Sequence, residues 1–217
     1  MTLDSENLLE SLMESLDRIE YIKPEDIPNI DLYMDQVTTF MDEKLKASVR
    51  NPGDDKILTK TMINNYAKND LLPPPVKKKY SKEHVLLLIF IYYYKGVLSI
   101  NDIQTLLSPI TEKYFQSEGE FSLKDIYNEV FSAEKELVDV LKADVSNKYN
   151  LAGQTFEAAP DEDKDFLKLF SFICFLSVDV YVKRMIIEKL IDELGEKEKS
   201  KDLKEAKKTD KKNEKNP

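Results

Sequence analysis

Between Pro160 and Gly195 the chain runs for 34 residues without a glycine or a proline. A run of that length forms a helix of roughly 50 Å at about 1.5 Å per residue, and few folds other than helical ones accommodate it. Phe166, Leu169, Ile173, Leu176, Val180, Ile187, Leu190 and Leu194 alternate steps of three and four along it, interrupted once by Lys183 and Arg184. Such a stripe needs a long apolar partner surface, from this chain or from a second subunit. Pro160 suits the first turn of this helix and Gly195 its stop. Elsewhere, five glycines and nine prolines, three of them consecutive at Pro73 to Pro75, are too few for the many hairpins of an all-β fold. With 217 residues the chain forms one large domain or two small ones. Its 34% charged residues suit many solvated helix faces.

Caps and stripes predict the other elements. Ser5 caps a first helix carrying Leu9, Leu12, Leu16 and Ile19 on one face, which stops near Lys23-Pro24. A second helix starts after Asn29, with Ile30, Tyr33, Met34, Val37 and Met41 at helical spacing, and Asn51 to Asp55 closes it. Thr59 caps a short helix through Lys68, and the run Leu71-Leu72-Pro73-Pro74-Pro75 follows, where proline removes backbone donors. Ser81 opens a helix to about Lys95 whose body, HVLLLIFIYYY, is apolar on nearly every side, as in a helix surrounded by others. Ser99 to Asp102 and Ser122 to Asp125 have the spacing of capping boxes. The first opens a short helix followed by Pro109; the second opens a longer one to about Asn147, before a loop over Tyr149 to Ala159. The lysine- and glutamate-rich tail after Gly195 has little to bury and reads as disordered or as a frayed extension.

Several function classes find no support. The one histidine, His84, falls in the first turn of a helix, where a solvated or capping role is expected, and no nucleophile and base pair lies near it. One His and one Cys build none of the usual zinc sites, and there is no glycine-rich phosphate loop. Asp161-Glu162-Asp163 answers the dipole of a helix start. Cys174 lies in an apolar stretch and reads as a small buried thiol. The most apolar segment, Leu169 to Val178, falls far short of the roughly 20 residues a spanning helix needs. The N-terminus carries acids where a signal peptide carries bases. The expectation is a cytoplasmic protein that is not an enzyme and needs no metal or cofactor.

One electrostatic feature points to a partner. Residues 56 to 82 hold seven basic side chains and one acidic, net +6, in a chain whose formal net charge is -9. A local field of this kind matters even where the net charge opposes it. Within it, the amides of Asn64 and Asn65 suit base edges, adenine above all, while Lys77, Lys78 and Lys79 suit phosphates. The stretch Thr59 to Leu107 resembles the DNA-binding domain of MerR-like transcription regulators, in the order of its elements as well as in residue types. Tyr66 matches the tyrosine of the recognition helix, Leu71-Leu72-Pro73 the turn, Lys78 and Tyr80 the wing, and Leu98 to Ile103 the start of the last helix. Asn64 stands where that family usually has arginine, Asp70 replaces the turn glycine, and the wing lacks a glycine. A linker from Ser48 to Lys56 replaces the tight turn of the helix-turn-helix. Over its length the chain, with IPNIDLYMDQVTTFMDEKL and DKILTKTMINNY, also resembles an uncharacterised bacterial family catalogued as domain of unknown function 1836.

The expected protein is all-α: a MerR-like (winged) helix-turn-helix domain over 1–108, a helical dimerisation or sensing region over 109–195 with one long helix, and a charged tail over 196–217. The expected function is a transcription regulator binding double-stranded DNA as a homodimer. Its contact residues are Lys60, Asn64, Asn65, Tyr66, Lys77, Lys78, Lys79 and Tyr80. The competing reading is a protein-protein adaptor that reuses such a domain. A small-molecule effector is compatible with the first reading, with Phe166, Phe170, Phe172, Phe175 and Tyr181 as candidate pocket residues.

Overall fold

The computed structural model describes residues 5–18, 21–46 and 57–213, with the backbone alone at 5–6, 134–135 and 198–213. The expected 48–56 linker, Ile19 and the Ser5 cap fall outside the described groups. The fold is mostly helical. In chain order it comprises α1 (Ser5–Asp17), a 3-10 turn (Pro24–Asp26), β1 (Leu32–Tyr33), α2 (Met34–Leu45), α3 (Lys60–Lys68), β2 (Lys79–Tyr80), α4 (Lys82–Tyr94), α5 (Ile100–Tyr114), α6 (Leu123–Ser132), α7 (Glu134–Gly153) and α8 (Asp161–Asn213). β1 and β2 form a two-strand antiparallel ladder, with Leu32 opposite Tyr80 and Tyr33 opposite Lys79.

α4 is the centre. Every residue from His84 to Ile91 is buried, so all faces of the helix are covered, as its unbroken apolar run requires. Around it pack Val37 and Met41 from α2, Ile63 and Tyr66 from α3, Ile103 and Leu107 from α5, and Leu123 and Tyr127 from α6. Tyr127 also donates a 2.7 Å hydrogen bond to the Ile22 carbonyl, tying α6 to the segment before α2. A second cluster joins Val145 and Ala152 of α7 to Phe172 of α8, with Leu12, Met13 and Leu16 of α1 against it.

The caps form as expected. Thr59 Oγ1 accepts from the Met62 N–H at 3.1 Å. Ser99 and Asp102 exchange bonds of 3.1 and 3.2 Å, and Ser122 and Asp125 bonds of 2.8 and 3.4 Å. His84 caps as well, but it is buried and not solvated: its Nδ1 accepts the Ser81 N–H at 2.9 Å.

Several boundaries differ from expectation. The second helix begins at Met34, because Leu32 and Tyr33 are taken by the ladder, and Gln36 Oε1 caps the helix by accepting from Tyr33 N–H at 2.9 Å. Pro109 lies inside α5 instead of ending it. The boundary drawn at 108 therefore falls within a helix, and the core extends into α6 and, through Ile191, into α8. The helix expected to run to about Asn147 breaks at Ala133, whose ψ of 0° leaves the helical region. The break lets α6 face the main core and α7 the second cluster. α7 continues to Gly153 and shortens the expected loop. Gly195 does not stop α8. A Cβ there would lie 3.4 Å from Thr105 Cγ2, an ordinary van der Waals contact, so the position faces α5 but a methyl group would fit. The helical backbone continues through the tail to Asn213. Cys174 is half-buried.

Candidate nucleic-acid interface

α3 presents two faces because its apolar residues recur at three-residue spacing. Ile63 and Tyr66 point into the core, while Thr61, Asn64, Asn65 and Lys68 are exposed on the other side. The helix ends in a left-handed residue, Asp70 at φ 54°, and the Leu71 N–H then reaches back to the Tyr66 carbonyl at 2.9 Å. This is the glycine-type helix stop built with aspartate. Leu71 and Leu72 are buried immediately after it, so the proline run leaves the core from a fixed point.

That run leads into a two-residue hairpin loop. Val76 and Lys79 exchange backbone hydrogen bonds of 2.9 and 3.1 Å around Lys77 and Lys78. Lys77 and Lys78 have φ of 51° and 64°, the pair of left-handed residues that a type I′ turn demands. Asparagine and glycine usually fill such positions. Both lysine side chains are exposed, and neither has an ionic partner among the described residues.

Two residues at the start of α2 link this loop to α3. The Tyr33 ring carries Lys79 Nζ at 5.1 Å from its centroid, and the Asp35 carboxylate is ion-paired with Lys60 in the first turn of α3. The loop base and the start of α3 thus both contact the first turn of α2, the second through an ion pair whose side chains are 60% and 73% exposed. Sequence reasoning missed Tyr33 and Asp35, because a two-residue strand carries no periodic signal and the pairing is long-range.

The sequence-predicted residues divide into two groups. Asn64, Asn65, Lys77 and Lys78 are exposed, Lys60 is exposed but ion-paired, and Lys79 is half-buried under its contact with Tyr33. Tyr66 and Tyr80 are corrected: they are buried at 5% and 2% exposure and lie beneath the surface as supports. Tyr66 shares the Ile63 stripe, and Tyr80 pairs with Leu32 and meets the His84 ring edge-on at 5.5 Å. Burial pushes both phenols above their ordinary value.

His84 supports this surface from behind. Its ring lies between Tyr80 and Phe115, and Nε2 is buried without a hydrogen-bond partner of ordinary geometry. Burial pushes the imidazole below its ordinary value near 6.5, against the opposing pull of the Pro74 and Pro73 carbonyls. Because Nδ1 accepts from Ser81, the ring is neutral and its proton sits on Nε2.

No group of His, Cys, Asp or Glu able to hold a metal ion occurs among the described residues. Of the candidate pocket aromatics, Phe172 lines a cleft of about 210 Å³ with Tyr149, Leu8 and Gly153, whereas Phe166, Phe170 and Tyr181 are exposed. No helix among the described residues is long and apolar enough to cross a membrane.

Fold and surface together define a helical protein in which a short two-faced helix and a lysine hairpin loop are braced on one core. Residues 22–130 match the model of the family described as Domain of unknown function (DUF1836), and the chain belongs to that family. The matched span begins at Ile22 and ends in α6, so it covers the elements that build the main core apart from α8. No curated protein and no solved structure matches the chain.

Proposed function

We propose that this protein is a transcription regulator that binds double-stranded DNA through a MerR-like helix-turn-helix unit, with α3 at base edges and the 76–79 loop on phosphates. The observation that carries the reading is the brace at the start of α2. Tyr33 and Asp35 meet Lys79 and Lys60 at one turn, while Lys77, Lys78, Asn64 and Asn65 remain exposed beside it. Amides read base edges and lysines neutralise phosphates, so the two exposed sets divide the work as specific DNA binding requires. The left-handed lysines add support, since strained backbone at an exposed loop is a feature of functional sites. The reading implies a cytoplasmic, non-enzymatic protein.

Replacing Lys77, Lys78 and Lys79 with alanine tests it. Each lysine–phosphate pairing that is removed lowers the log-log salt slope by roughly 0.9, so the slope should flatten by at most about 2.7 while sequence preference survives. Unchanged binding in the folded triple variant would remove the loop from the interface.

A further inference from the structure

The apolar seam that joins α1, α7 and α8 leaves a cleft of about 210 Å³ unfilled. Its residues recur at steps of three and four, from Tyr149 to Gly153 on α7 and from Asp165 to Phe172 on α8, so each helix gives it one face. Leu8 of α1 completes the lining. The interior is apolar: Ala152 and Phe172 are buried, and the Tyr149 and Phe172 rings stand perpendicular with centroids 5.3 Å apart. A perpendicular pair offers an incoming ring both an edge and a face, the contacts aromatic groups prefer. An apolar cavity of about 150 Å³ suffices for benzene, so a phenyl group fits this one.

Two charged residues line the cleft, Asp165, which is exposed, and Lys168, which is half-buried. Neither has an ionic or hydrogen-bonding partner among the described residues. One turn earlier the same acid-then-lysine spacing closes an ion pair, Asp161 with Lys164 at 2.7 Å. Further along α8, Asp179 and Lys183 pair at 2.8 Å. At the cleft alone the two opposite charges stand apart, on one wall and beside an apolar hollow.

We propose that this cleft binds a free α-amino acid with an aromatic side chain. The ring lies against Tyr149 and Phe172, the ammonium meets the Asp165 carboxylate, and the carboxylate meets the Lys168 ammonium. Residues three apart on a helix have Cβ atoms about 5–6 Å apart, within reach of the two groups that one α-carbon carries. Charge selects the zwitterion. The acidic first turn of α8, Asp161 to Asp163, repels a ligand that carries only a carboxylate, and Lys168 repels one that carries only an amine. The site shares no residue with α3 or the 76–79 loop, so it stands whether or not the protein binds DNA.

Amide chemical-shift titration of the isotope-labelled full chain with phenylalanine tests this. Addition to about 10 mM spans the millimolar affinity expected of a ligand of about a dozen heavy atoms. The Gly153 amide, at the cleft lining, should shift and saturate. Phenylethylamine, which lacks the carboxylate, and phenylpropanoate, which lacks the ammonium, should each bind about tenfold more weakly, as loss of one charge-assisted hydrogen bond requires. Asp165→Asn and Lys168→Gln should each weaken phenylalanine by about the same factor, with the folded spectrum retained because neither side chain has a partner to lose. Lys168→Gln should not weaken phenylethylamine, and Asp165→Asn should not weaken phenylpropanoate. No saturating shift at Gly153 overturns the proposal. So do analogues that bind as tightly as phenylalanine, or phenylalanine binding that both variants leave unchanged.

Discussion

Exchanging the two loop lysines for Asn-Gly should move stability and DNA binding in opposite directions. Lys77 and Lys78 sit at φ 51° and 64°, where an ordinary side chain costs about 1–2 kcal/mol per residue. Glycine at 78 relieves this but adds about 0.5–1 kcal/mol of unfolded-chain entropy, and asparagine at 77 relieves it in part. The net for Lys77→Asn with Lys78→Gly is a gain of about 1–2 kcal/mol. In a chain of this size that raises the thermal midpoint by about 2–8 °C in calorimetry. The same exchange removes two lysine–phosphate pairings, so the salt slope should fall by about 1.8. An unchanged or lower midpoint would show that the left-handed turn is not strained. A raised midpoint with an unchanged salt slope would show that these lysines do not meet phosphates.

Asn64→Ala with Asn65→Ala should leave the salt slope intact while weakening discrimination between duplexes by roughly 1–3 kcal/mol per productive amide pair, measured by competition binding. The depressed His84 imidazole gives stability a defined pH dependence. Below pH 6.5 the unfolded chain takes up a proton that the folded ring resists, so the thermal midpoint should fall as pH drops through that value and stay flat above it. His84→Gln, which retains an acceptor for the Ser81 N–H, should remove this His84 contribution. Ile191→Ala should cost about 2–5 kcal/mol in denaturant titration, because Ile191 is the buried point where α8 joins the main core.

What the sequence made legible was local chemistry. Ser99, Ser122 and Thr59 announced their helices because a cap and its partner lie three residues apart, and the apolar run of α4 announced its own burial. What it hid was tertiary. Pro109 and Gly195 carry breaker signals, yet both lie inside helices, the second where α8 faces Thr105 of α5. The break at Ala133 has no proline or glycine to mark it and follows from two cores competing for one stripe. At the candidate site, the exposed amides and loop lysines were readable from composition. The burial of Tyr66 and Tyr80 and the brace through Tyr33 and Asp35 depend on the β1–β2 pairing, which two-residue strands do not advertise.

The most direct test of the DNA reading is a mobility shift of the folded wild-type protein on sheared genomic duplex at low salt, with and without cell extract, followed by salt titration. The reading predicts retarded complexes that dissociate steeply with added salt, despite a sequence pI near 4.9. Absence of any shift under these conditions would contradict it, and the loop and α3 would then stand as a surface for a protein partner.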